Sequence, residues 1–275
     1  SMLLCAGILG AQVSAMGYVF EVFTGYPAIW GVVLGLGAVV LYSTVGGMRA
    51  VVFTDVVQFI ILAVGLPLAL TLGVIKIGGI SGLMDAVPAN RWNIIRDGSS
   101  WVAFASLFLT LMLGETLVPP YVQRLLMGKT TESTARGTLW AGIFSFPFFA
   151  MTGVFGLVAL AMDSGLKEDL AMAHVIRESL PPGLRGLVIA GVVAVVMSSA
   201  DSFLNGAATA LVRDIVSTLR QRPLSNAVSL RMARIANLAT GVVAVGTALM
   251  IPNVLDILIF AYYFWAPVIL CPLAL

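Results

Sequence analysis

Eight stretches of this chain, at roughly residues 1–20, 28–46, 51–75, 101–122, 138–162, 186–212, 232–251 and 255–275, run apolar for the length of a bilayer crossing or nearly so. A helix needs about 20 apolar residues to cross the hydrocarbon core. Water is absent there, so each backbone N–H and C=O must be satisfied within the protein, and a continuous apolar run answers that as a helix. An outer-membrane barrel would alternate apolar and polar residues instead. The runs are punctuated by turn chemistry at Gly25-Tyr26-Pro27, Gly46-Gly47, Gly78-Gly79, Pro181-Pro182-Gly183 and Pro252-Asn253. Composition agrees: 60% of the 275 residues are hydrophobic and 10% charged, where a soluble domain carries about 25% charge. The mean hydropathy of +1.03 excludes an ordinary soluble enzyme and a disordered chain. The fold class expected is all-α, a polytopic helical membrane protein of eight spans.

Orientation follows from the placement of Lys and Arg. Alternating loops put nine basic residues on one side, among them Arg49, Arg124, Arg136 and Arg213, against only Glu132 and Asp214. The other side holds six basic residues against seven acidic ones, including Glu21, Asp163, Asp169 and Glu178. The first side is expected to be cytoplasmic. Of the two long outer loops, residues 163–185 carry a helical pattern at Leu166, Leu170, Ala173 and Ile176 that Ser164 would cap. Such a helix lies over an outer vestibule or serves as a solvated connector. Ser1 opens directly into an apolar run and Leu275 ends within one. The expectation is a single transport domain over residues 1–275, incomplete at its N-terminus and at its C-terminus.

Four acids remain once the loops are counted: Asp55, Glu115, Asp201 and Asp256. Asp256 follows Pro252 and suits a helix start, where a carboxylate offsets the N-terminal dipole. The other three fall inside spans, where an ionisable side chain is costly and points to function. Ser198, Asp201, Ser202 and Asn205 share one helix face. That face offers hard oxygen ligands and one negative charge, which suits a monovalent cation; a Ser-rich packing face is the alternative. Asp55 is either an acid in the first turns of its span, near Arg49, or part of a site. Glu115 precedes Pro119 and Pro120, which interrupt the helix. Broken helices expose backbone groups to substrates and ions in transporters; a plain kink beside a water-filled gap is the other reading. No nucleophile–His pairing, phosphate loop or metal-ligand spacing is present, so neither an enzyme nor a cofactor is expected, and a net charge of +2 implies no nucleic-acid partner.

The run Tyr42-Ser43-Thr44-Val45-Gly46-Gly47-Met48-Arg49, continuing to Thr54-Asp55-Val56-Val57-Gln58, resembles a signature of the sodium/solute symporter family, whose members include sodium/glucose and sodium/proline symporters. Ser198-Ser199-Ala200-Asp201-Ser202-Phe203-Leu204-Asn205, running on to Arg213-Asp214, is a second match, and Gln123-Arg124 after the broken helix is a third. The resemblance covers essentially the whole chain. It implies a leucine-transporter-type inverted-repeat core in which these eight spans are core helices three to ten.

What the resemblance implies of the site is read residue by residue. Ser198 and Ser199, with the carbonyl of Val195, match the first sodium site. Asp55, Asp201 and Ser202 match a second site, for sodium or for coupling. Glu115, Pro119, Gln12, Phe260 and Tyr262 are candidates for the solute pocket. Leu111 and Glu115 stand where sodium/proline members carry aromatic residues, which argues against proline as solute. The implied function is sodium-coupled symport of a small organic solute (amino acid, sugar, carboxylate or similar) across the cytoplasmic membrane. The alternative is the membrane domain of a symporter-like sensor kinase.

Overall fold

A computed structural model describes residues 2–45, 48–93, 101–114, 118–126, 128–220, 225–251 and 253–274, without side chains at 42–45, 48–54, 114, 264, 266 and 269–274. Each apolar stretch is helical: α1 (Met2–Thr24), α2 (Ala28–Val45), α3 (Met48–Lys76), α5 (Trp101–Gly114), α7 (Thr131–Met162), α9 (Pro182–Thr209), α11 (Asn226–Met250) and α12 (Val254–Ala274). Short helices α4 (Gly79–Ala86), α6 (Pro119–Leu125), α8 (Ala171–Ser179) and α10 (Thr218–Arg220) complete the order. Among the described residues, five helices are long and apolar enough to cross a membrane. The fourth apolar stretch is interrupted ahead of Pro119 and Pro120: Val118 is extended, and α6 begins at Pro119 with both prolines in its first turn, where no backbone donor is needed.

α1 is the centre of the bundle. Of its apolar window, 67% is buried, against 17% for α7. It packs on α2, α9, α11 and α12. Small residues permit this closeness. A Cβ on Gly17 would stand 2.8 Å from the Ala28 carbonyl oxygen, and one on Gly31 would stand 2.8 Å from the Gly17 Cα. In lipid such backbone approach supplies packing energy that the hydrophobic effect does not. α7 opens on a reciprocal cap, in which Thr130 Oγ1 accepts from Ser133 N and Ser133 Oγ accepts from Thr130 N. α9 continues at its far end into a π-helical segment, Ala210–Ser217.

The loop between α7 and α9 forms a cap over one end of the bundle. Its helix starts at Ala171, after a 3-10 turn, and Ser164 does not cap it. Asp163 takes the local role instead, accepting from Gly165 N at 2.9 Å. α8 is no solvated connector: Val175 and Ile176 are fully buried in one cluster with Leu66, Phe155, Val158 and Val188. Three contacts pin the cap to other helices. Lys76 Nζ donates to Glu178 Oε2 at 3.0 Å, and Arg177 Nη1 to the Val22 carbonyl at 2.5 Å. Asp169 Oδ1 accepts from Val254 N at 3.4 Å, at the start of α12. The Lys76 ammonium holds the Glu178 carboxyl below its ordinary value, whereas burial raises that of Asp169. Asp256 sits in the first turn of α12 as expected and accepts from Asn253 Nδ2 at 3.0 Å.

Candidate ion and solute site

Asp55 and Ser198 are 143 positions apart in sequence, and the packing of α3 against α9 brings their side chains together: Ser198 Oγ donates to Asp55 Oδ1. One turn further along α9, Ser202 Oγ donates to the Ser198 carbonyl at 3.0 Å. α6 brings in a third group. Arg124 Nη2 lies 3.5 Å from Asp55 Oδ2 and donates to Ser202 Oγ at 3.0 Å. A carboxylate, two hydroxyls and a guanidinium thus meet where α3, α6 and α9 converge.

Two cavities flank this junction. The larger, of about 600 Å³, is lined by Asp55, Gln58, Arg124, Val195, Ser198 and Ser199 on its polar side. Phe59, Trp140, Phe144, Phe148 and Phe149 form an aromatic wall across from them. The smaller, of about 130 Å³, lies between α1, α6, α9 and α12 and is lined by Gln12, Tyr121, Arg124, Ser199, Ser202 and Tyr262, with Pro120 and Phe203. Arg124 and Ser199 belong to both linings.

The residues singled out from sequence distribute as follows. Val195, Ser198, Ser199 and Asp55 share the larger cavity, so residues assigned to two separate ion sites stand on one wall. Ser202 faces the smaller one. Asp201 is buried, at 3% exposure, and lines neither. Gln12 and Tyr262 face the smaller cavity together. Phe260 is 59% exposed and stays outside it. The helix explains this: Leu258 and Tyr262, four apart, share the inward face, and Phe260 between them points away. Pro120 rather than Pro119 reaches the cavity, and Glu115 lies outside the described residues. Gln58 was missed as a ligand candidate. It stands one helical turn from Asp55 on the same face, and its buried Oε1 has no hydrogen-bond partner among the described residues. The i, i+3 spacing from the acid was the available signal.

The donor set is all oxygen on the ligand side, with one acidic side chain. Oxygen ligands suit hard cations, and one carboxylate suits a single positive charge. Among the described residues, no group of three His, Cys, Asp or Glu side chains could hold a transition or divalent metal. The family model for the sodium:solute symporter family matches residues 1–275. The chain belongs to this family.

Similar proteins agree. The sodium/myo-inositol cotransporter 2 of Mus musculus is 28% identical over 240 residues, covering 72% of this chain and 35% of its own. The sodium/glucose cotransporter of Vibrio parahaemolyticus is 27% identical over 233 residues, covering 72% of this chain and 42% of its own. Among solved structures, the substrate-bound outward-open state of a Na+-coupled sialic acid symporter superposes with a TM-score of 0.72 at 22% identity, over 90% of this chain and 56% of that one. The likeness shows a leucine-transporter-type fold. The chain spans 35% and 42% of the length of the two curated relatives named above.

Proposed function

We propose that this chain is the part of a sodium-coupled symporter comprising core helices three to ten, and that the whole protein carries a small polar organic solute across the cytoplasmic membrane. The single observation that carries the reading is the meeting of Asp55 on α3 with Ser198 on α9 at the wall of the larger cavity. An intramembrane acid set against a row of hydroxyls is a cation site by its chemistry. Sodium would be held by Ser198, Ser199 and the Val195 carbonyl, and a second position by Asp55 with Ser202, whereas Asp201 lines neither cavity and stays outside it.

The smaller cavity is the solute end. Gln12, Tyr262, Tyr121 and Ser202 offer an amide and three hydroxyls, which suits a hydroxylated solute, as the names of the glucose, inositol and sialic acid relatives suggest. No covalent step is needed. Sodium drives transport only through its different affinity for the outward-open and inward-open states, so α3, α6 and α9 must change their mutual spacing between them. The helix ends that carry Arg49, Arg136 and Arg213 would face the cytoplasm, by the bias of Lys and Arg.

The test is a thermal-stability titration of the full-length protein in detergent, with NaCl against KCl at equal ionic strength. A ligand that binds the folded state stabilises it by about 2.7 kcal/mol at a hundredfold excess over Kd. Sodium-specific stabilisation that Ser199→Ala abolishes supports the reading. Equal response to the two salts in the wild type overturns it.

A further inference from the structure

The position of Arg124 raises a question of occupancy. Its guanidinium touches both Asp55 and Ser202, two of the groups proposed above to receive sodium. It also stands between the two cavities and lines each of them. A carboxylate with one charge does not hold two cations at full strength, because the cations repel each other at that spacing. We infer that Arg124 is a tethered cation: it occupies the Asp55–Ser202 position in the sodium-free protein and is exchanged for sodium when the ion binds. The inference rests on the sodium-symport reading.

The strength of the contact fits exchange rather than permanent bonding. The Arg124 and Asp55 side chains are 51% and 31% exposed, and their closest approach is 3.5 Å. That approach is longer than the roughly 2.7–2.9 Å of a charge-assisted hydrogen bond, and sodium in excess can displace it. The cation entering has further acceptors waiting. Gln58 Oε1 is buried one turn from Asp55 with no partner among the described residues, and Ser198 Oγ already contacts the carboxylate. The guanidinium also has somewhere to go. Released from Asp55, it remains at the boundary of the smaller cavity among Gln12, Tyr121 and Tyr262, where it would meet the solute. The exchange therefore links the ion end to the solute end through one side chain. Arg124 is a positioning residue in this scheme, not a sodium ligand.

The test measures the sodium Kd by thermal titration of the full-length protein for wild type, Arg124→Gln and Arg124→Lys. Removing the internal competitor should tighten sodium about fivefold in Arg124→Gln, which corresponds to about 1 kcal/mol. Arg124→Lys keeps a cation and should stay within about twofold of wild type. A chemical measurement guards against misfolding of either variant. Arg124→Cys, in a background with every other cysteine of the full-length protein, Cys5 and Cys271 included, replaced by Ser, should bind sodium tightly and return toward the wild-type Kd when an aminoethyl thiosulfonate restores the positive charge. A methyl thiosulfonate, which adds no charge, should leave it tight. An unchanged or weakened sodium Kd in Arg124→Gln, with sodium-specific stabilisation intact in the wild type, overturns the exchange and leaves the symport reading standing. No sodium-specific response in any form, wild type included, overturns both.

Discussion

The α8 cap and the Asp55 junction use similar residues, an acid against a base across two helices, yet they are built to different standards. At the cap, α8 and the turn before it are tied by Lys76–Glu178, by Arg177 on the Val22 carbonyl and by Asp169 on the start of α12. Beneath those ties, Val175, Ile176 and Leu180 fill a dry cluster. At the junction, Arg124 and Asp55 meet at 3.5 Å on the lining of a cavity of about 600 Å³, rather than over a filled cluster. The cap spends its charges on fixing elements already held by packing. The junction leaves its charges on the walls of cavities, where they can change partners. The lesson is that the same ion pair is structural or switchable according to what is packed beneath it.

The largest expected effect tests the first half of that contrast. Ile176→Ala removes a fully buried side chain from the cluster under the cap. It should cost about 3 kcal/mol, in the range of large-to-small core substitutions, and thermal unfolding should show it as a clear drop in Tm. A change below about 1 kcal/mol would mean that the ties, not the packing, hold the cap. The second effect tests the other half. Asp55→Asn should keep most of the stability measured without sodium, because a half-exposed pair contributes little. It should lose sodium-dependent stabilisation of up to about 2.7 kcal/mol at a hundredfold excess over Kd. Equal loss with and without sodium would make Asp55 a structural residue like Glu178.

Much of this was legible in the residues. The eight apolar runs gave the helices, because in lipid a helix is the only solution open to such a run. Pro119 and Pro120 marked the break between α5 and α6. Asp55 was ambiguous by itself, a first-turn acid or a site residue, and only the family resemblance set it beside Ser198 and Ser199; the structure brings all three to the larger cavity. Other features were not legible. The start of α8 is set by a 3-10 turn and by the burial of Val175 and Ile176, so Ser164, which pattern alone favoured as the cap, is bypassed. The exclusion of Phe260 from the cavity depends on the rotation of α12 about its axis, which a helix apolar all round does not encode. Arg124 was quoted as a motif residue, but its reach to both Asp55 and Ser202 is a product of how α6 is placed after the break.

Smaller effects separate the ties of the cap from one another. Glu178 has its carboxyl held below the ordinary value by Lys76. Its contribution is therefore present above the unfolded value, about 4.3, and is lost as pH falls through the lower folded value. Glu178→Gln should remove that acid limb at a cost below about 1 kcal/mol near neutral pH, since the pair is exposed. The check is a series of denaturation midpoints from pH 3 to pH 7.

Asp169 runs the other way, and its effect is the smallest. Burial raises its carboxyl, with Glu168 and Asp256 adding to the rise and the Val254 N–H and Lys167 opposing it. The folded state therefore holds the proton more tightly than the unfolded chain does. The resulting stability is full below the unfolded value, about 3.9, and is lost as pH rises through the folded one. Above that, the carboxylate pays a desolvation cost that its single bond from Val254 N offsets in part. Asp169→Asn keeps an acceptor for Val254 N without the charge. It should raise stability at pH 7 by a few tenths of a kcal/mol, of the size expected when a weakly held surface charge is removed. It should also flatten the decline between the unfolded and folded values. A decrease at pH 7 would show that the charge itself anchors the α12 terminus, through the favourable field of a helix start. The cap would then be electrostatic at this corner, and the contrast with the junction would narrow to Ile176 and its neighbours.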